Sequence, residues 1–123
     1  MIRGSVDSEK HAVLSLELCD SNGQIMAVSA VIDTGYDGVL TITPDIAANL
    51  HCPFRETRTY ELGNGELVDF PIHDVTLIWD GQTRDVAAIV TSGGVLIGMS
   101  LLHGFTLFID VIDGGEICIE PRP

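Results

Sequence analysis

The 123-residue sequence predicts a mostly β fold in one domain, with one or two short helices. Three observations carry that expectation. Apolar and polar residues alternate with period two through most of the chain. The turn signals Ser21-Asn22-Gly23, Gly63-Asn64-Gly65 and Asp80-Gly81 separate those stretches. Only the segment opening Thr43-Pro44-Asp45 carries the chemistry of a helix start.

Taken in order, Val13, Leu14, Leu16 and Leu18 alternate with polar residues, Ser21-Asn22-Gly23 turns the chain, and Ile25 to Ile32 runs back, which makes a hairpin. After Asp33-Thr34-Gly35 the β-branched run Val39-Leu40-Thr41-Ile42 resumes, so a loop joins two short strands. Thr43 then reads as an N-cap, Pro44 as the first helical residue and Asp45 as a carboxylate in the first turn. Ile46, Ala47 and Leu50 form the apolar stripe, and Pro53 ends the segment. Thr59 to Leu62, Glu66 to Trp79 and Gln82 to Val90, joined by Gly-containing turns, read as a meander. Val95-Leu96-Ile97-Gly98 is short enough only for a buried strand, Met99 to His103 makes a turn or two of helix, and Phe105 to Ile112 is strand-like. Glu116 to Glu120 follows Asp113-Gly114-Gly115 as a last strand. With no Pro/Ser-rich linker, the domain is expected over 12–120, between a flexible N-terminal segment at 1–11 and a tail at 121–123.

Composition narrows the function. Hydrophobic residues are 46% and charged residues 20% of the chain, the balance of a globular protein. Eighteen acids against six Lys and Arg give a net charge of −12. The scattered cations build no stripe to neutralise a phosphate backbone, so nucleic acid and anionic membrane are poor partners. No segment approaches the roughly 18 apolar residues of a membrane span. Met1 to Lys10 holds no apolar stretch after Arg3, so no secretory signal is expected and the location is read as cytoplasmic. Cys19, Cys52 and Cys118 make an odd count without a C-x-x-C pair and read as reduced, mostly buried thiols. His11, His51, His73 and His103 form neither an i, i+4 pair nor a zinc spacing, so no metal or other cofactor is expected. Phosphate-cradling, dinucleotide-binding and nucleophile-elbow motifs are absent.

Val31-Ile32-Asp33-Thr34-Gly35 remains, a carboxylate at the end of an apolar strand followed by a hydroxyl and a glycine. A carboxylate aimed from a strand end activates water. The threonine holds the loop by hydrogen bonding to backbone, and the glycine brings its N–H close to a carboxylate oxygen. An ordinary strand-to-turn cap is the bland alternative for the tripeptide, as an ordinary hairpin turn is for Gly63-Asn64-Gly65.

Together with Leu96-Ile97-Gly98 and the following Met99-Ser100-Leu101-Leu102-His103-Gly104-Phe105, this segment makes residues 12–120 resemble the retropepsin-like aspartic proteases. These are the single-lobe relatives of pepsin found in retroviruses and, as small stand-alone proteins, in bacteria. The resemblance implies a closed, barrel-like sheet with a ψ-loop and a two-fold homodimer. Asp33 matches the catalytic aspartate, Thr34 the residue whose hydroxyl bridges the two copies of the loop, and Gly35 the glycine that completes the motif. Leu96, Ile97 and Gly98 match the strand that buttresses the loop from behind. Asp37 and the hairpin tip Gly63, Asn64 and Gly65 fall at substrate-binding positions, the tip where the family has its flap. In retroviral members the acid matching Asp37 pairs with an arginine, and Met99 stands at that arginine here. Tyr36 replaces a residue that is usually small.

Aspartic protease chemistry needs two carboxylates sharing one proton, and this chain carries one Asp-Thr-Gly. The resemblance therefore implies an aspartic endopeptidase whose dyad is two Asp33 side chains, one from each subunit, acting on a peptide or protein substrate. The alternatives are a dimeric peptide-binding module on the same fold with weak or absent catalysis, and a structural dimerisation domain. Two copies carry −24, so association is expected to tighten with salt or mild acid. Glu116 to Glu120 has the alternation of an edge strand, suited to pairing across subunits or within one.

Overall fold

Alternating side chains build most strands near where the sequence predicts them, though the one expected from Thr59 begins at Phe54, and the computed structural model describes residues 1–123. The strands are β1 (Ile2–Val6), β2 (Ala12–Cys19), β3 (Ile25–Ile32), β4 (Leu40–Ile42), β5 (Phe54–Glu61), β6 (Leu67–Trp79), β7 (Gln82–Val90), β8 (Leu96–Ile97), β9 (Phe105–Ile109) and β10 (Glu116–Pro121). The helices are α1 (Pro44–Asn49) and α2 (Met99–Leu102). Thr43 caps α1 as its sequence suggests, its side chain accepting from the Ile46 N–H at 3.3 Å.

Ten strands form one sheet in the order β5-β6-β7-β4-β8-β3-β2-β1-β10-β9. The end of β2 also pairs with β6, Glu17 opposite Ile78 and Cys19 opposite Thr76, and this closes β2-β3-β8-β4-β7-β6 into a barrel. Inward residues of every barrel strand fill it. Leu18, Ala30, Leu40, Ile42, Leu77, Ala88 and Ile97 are all fully inaccessible to solvent. Removal of each larger apolar side chain from water contributes about 1.5–3 kcal/mol. Trp79 is buried too, its ring edge-on to Phe105 with centroids 5.9 Å apart. No helix is long and apolar enough to cross a membrane.

The N-terminal segment departs from expectation. Residues 1–11 are not loose, because Ile2–Val6 is strand β1, held between β2 and β10. Its signal is only Ile2 and Val6 around Gly4, too sparse to read as alternation. Gly4 is there for space, since a Cβ at that position would lie 2.3 Å from the Val13 carbonyl oxygen. The tail likewise begins one residue later than expected, Pro121 being the last residue of β10.

The C-terminal strands also differ from the reading. Phe105 to Ile112 is strand only to Ile109, and residues 110–115 form the turn into β10. β10 is not an edge, since β1 and β9 flank it on its two sides. The edge is β9. Asp110 donates to the Glu116 carbonyl at 2.9 Å and Arg122 to the Gly104 carbonyl at 3.0 Å, so the even-numbered residues of β9 face β10 with their backbone groups. Phe105, Leu107 and Ile109 therefore turn N–H and C=O to the open side.

One buried polar side chain ties the barrel together behind the Asp33 loop. Thr41 Oγ1 donates to the Gly94 carbonyl at 2.8 Å and accepts from the Leu96 N–H at 2.9 Å, fixing the entry to β8. Thr41→Val keeps the shape but leaves both backbone groups without a partner. It is expected to lower stability by about 1–3 kcal/mol, read as a shift in the urea midpoint without a change in slope.

Candidate active site

Asp33 follows directly on β3, and the loop it opens is fixed from behind by β8. The two-residue strand lies between β3 and β4, parallel to β3 (Val31 opposite Leu96, Ile32 opposite Ile97) and antiparallel to β4 (Leu40 opposite Ile97). So short an element persists because Ile97 is wholly buried and bonded on both sides. The Asp33 N–H donates to the Ile97 carbonyl at 2.9 Å, and the Gly98 N–H to the Val39 carbonyl at 3.1 Å.

Beyond Gly98 the start of α2 continues the clamp. The Met99 N–H donates to the Tyr36 carbonyl at 2.8 Å, the Ser100 N–H to the Gly38 carbonyl at 3.0 Å, and Ser100 Oγ to the Asp37 carbonyl at 2.5 Å. Residues 33 to 39 are thus bonded to residues 97 to 100 at five points, and the Asp33 carboxylate sits on a rigid seat.

Within the loop the Gly35 N–H donates to Asp33 Oδ1 at 3.0 Å, the close backbone approach that a glycine was expected to supply. Asp33 is half-buried and forms no ion pair. A carboxylate held by one N–H and half open to solvent has a free oxygen to present to water. Thr34 differs from the residue-level expectation. It is exposed, and its hydroxyl makes no hydrogen bond within the chain, so it does not hold its own loop.

Tyr36 is larger than the small residue expected at its position, and the structure shows where its bulk goes. The ring lies against the backbone of Gly38 and Gly98, so that a Cβ on Gly38 would meet its hydroxyl oxygen at 2.2 Å and one on Gly98 its Cδ2 at 2.6 Å. Burial pushes the phenol above its ordinary range, with Tyr60 of β5 and Asp37 adding to the effect, so it stays neutral at physiological pH. The two glycines are the sequence signal for the large ring, legible only once the loops are known to touch.

Asp37 is exposed and pairs with no cation, consistent with Met99 at the position where an arginine would stand. Asp37 and Thr34 together line one wall of an open groove of about 930 Å³ whose other residues include Met99, His103, Phe105, Leu107 and Arg122. No local pattern in the sequence marks this groove, whose lining comes from distant stretches of the chain. Gly63, Asn64 and Gly65 form the tip of the β5–β6 hairpin. There the Leu62 N–H donates to the Glu66 carbonyl, the Gly65 N–H to the Leu62 carbonyl, both at 2.8 Å, and the Glu66 N–H to Asn64 Oδ1 at 2.9 Å. Gly65 adopts φ +84°, the left-handed region that favours glycine. No group of three or more His, Cys, Asp or Glu side chains is placed to hold a metal ion.

Comparison with solved structures finds the crystal structure of a retropepsin-like aspartic protease from Rickettsia conorii similar over 99% of this chain and 91% of that one, with a TM-score of 0.56 and 20% sequence identity. The likeness is one of fold, and at that level the resemblance carried by the motifs holds. No protein-family model and no curated protein sequence matches the chain.

Proposed function

We propose that this chain, with its retropepsin-like fold, is half of an aspartic endopeptidase and that two copies related by a two-fold axis bring their Asp33 carboxylates together. The observation that carries the reading is the seat of Asp33. A single carboxylate, bonded to the Gly35 N–H and braced by β8 and α2, stands beside a threonine with no partner in its own chain. The open edge of β9 supports it further, since Leu107 lines the same groove as Thr34 and its backbone groups await another strand.

In such a dimer the pair holds one proton. The ionised carboxylate draws a proton from water while the water oxygen attacks the scissile carbonyl carbon, and the protonated partner donates to the carbonyl oxygen. A tetrahedral diol forms. Proton transfer to the amide nitrogen then breaks the C–N bond, releasing an acid and an amine and restoring the shared proton. The hairpin tip Gly63-Asn64-Gly65 covers the substrate, and Asp37 lies on its path. Losing the shared proton stops the reaction, because the partner carboxyl then has nothing to donate to the carbonyl oxygen.

The test is cleavage of a peptide library at about pH 4 to 7 by the native protein beside Asp33→Asn, a window set by the need for one protonated and one ionised carboxylate. Cleavage by the native protein alone supports the reading. Equal cleavage by both, or by neither, contradicts it, and tight binding of a peptidomimetic without turnover favours the peptide-binding module instead.

A further inference from the structure

The turn at the far end of β9 is unlike an ordinary hairpin tip. Such tips are usually polar, yet Val111 is 74% and Ile112 62% exposed. They are held rigidly, because the Ile112 N–H donates to the Asp110 carbonyl, the Gly115 N–H to the Ile112 carbonyl, the Gly114 N–H to the carbonyl of Val6 in β1, and the Val6 N–H to the Gly115 carbonyl, all at 2.8 to 2.9 Å. A fixed apolar knob that its own chain leaves in water is a contact surface in search of a partner.

The partner follows from the edge. Open backbone groups on Phe105, Leu107 and Ile109 can pair with the same strand of a second copy. A two-fold axis at Leu107 sets Phe105 opposite the second copy's Ile109. Beyond the paired strands, the second copy's turn at 110–115 falls at the same end as His103 and Leu102. Both of these line the groove that also holds Thr34, Met99 and Phe105. Knob and groove lie at opposite ends of one strand, the arrangement an isologous contact requires.

Charge agrees with the fit. Arg122 lines the groove and forms no ion pair in its own chain, and Asp110 and Asp113, which flank the knob, are likewise unpaired. In a protein of net charge −12, Arg122 is the one Lys or Arg among the groove's lining residues, where it stands with the acid Asp37.

We infer that the Asp110–Asp113 turn of a second copy of this chain seats in the groove between α2 and the start of β9, Val111 and Ile112 filling it and the flanking acids meeting Arg122. The inference rests on the dimeric reading of the active site and supplies its interface. Since Thr34 lines the same groove, seating the knob and bringing the two Asp33 loops together are one event.

Sedimentation equilibrium of three proteins tests it: the native chain, the double variant Val111→Asp/Ile112→Asp, and Ile25→Asp as an exposed apolar control away from the edge. The native chain and the control are expected to dimerise alike, and the double variant at least about 100-fold more weakly, with unchanged far-UV circular dichroism. Arg122→Asp is expected to weaken the dimer, and adding Asp110→Arg and Asp113→Arg to the same chain to restore it, a recovery that misfolding does not produce. A double variant that dimerises like the native chain, or no recovery on charge reversal, overturns the interface while leaving the dimeric enzyme standing. A native chain that stays monomeric overturns both.

Discussion

Asp33→Asn is expected to lower the rate of peptide cleavage by at least about 10³-fold, because the dimer then has no carboxylate to ionise and general acid–base transfer is lost at the reacting water. The fold is expected to survive unchanged. An asparagine Oδ1 accepts from the Gly35 N–H as the carboxylate does now, and the braces from Ile97 and Val39 are backbone bonds that the substitution does not touch. Equal urea midpoints for the two proteins, with activity in only one, separate chemistry from stability. Parallel loss of stability and activity assigns Asp33 a structural part instead.

Gly98→Ala is expected to be the most damaging single methyl among the residues that brace the Asp33 loop. A Cβ there would lie 2.1 Å from the Gly38 carbonyl oxygen, 2.8 Å from its carbonyl carbon and 2.6 Å from Tyr36 Cδ2. The first two are backbone atoms, held by the Ser100 N–H, so relief requires the Asp33 loop to leave its seat. The cost is expected to be about 3 kcal/mol or more, in the range of severe overpacking, with peptide cleavage lost even in the fraction that folds. Gly63→Ala is the matched control. A Cβ at Gly63 meets nothing within 4 Å, so stability is expected to change by less than about 1 kcal/mol in urea unfolding. Equal costs at the two positions would mean that residues 97 to 100 do not brace the loop.

The sequence made the barrel legible because alternation in β2, β3, β6 and β7 matches burial along each strand. Gly-containing turns mark the meander, and Thr43-Pro44-Asp45 marks the one capped helix. Asp33-Thr34-Gly35 was legible as a carboxylate on a strand end, and the structure adds the Gly35 hydrogen bond that the residue types implied. β1 was not legible, since its two apolar residues surround a glycine chosen for the proximity of the Val13 carbonyl, a contact across the sheet that leaves no local pattern. Alternation also could not tell β9 from β10 as the edge. Both strands alternate, and only the hydrogen bonds from Asp110 and Arg122 show which one faces out. The groove beside Thr34 draws on residues 34, 37, 99 to 107 and 122, a set that only the folded topology brings together.

The claim at the centre is that one active site takes an Asp33 from each of two chains, and mixing native protein with Asp33→Asn tests it most directly. The two are unfolded and refolded together in equal amounts, and cleavage is measured per native chain. A shared site predicts a fall to about half, because random pairing places half of the native chains in mixed dimers with a single carboxylate. Activity per native chain that stays constant at every mixing ratio would show that each chain acts alone, and would contradict the account.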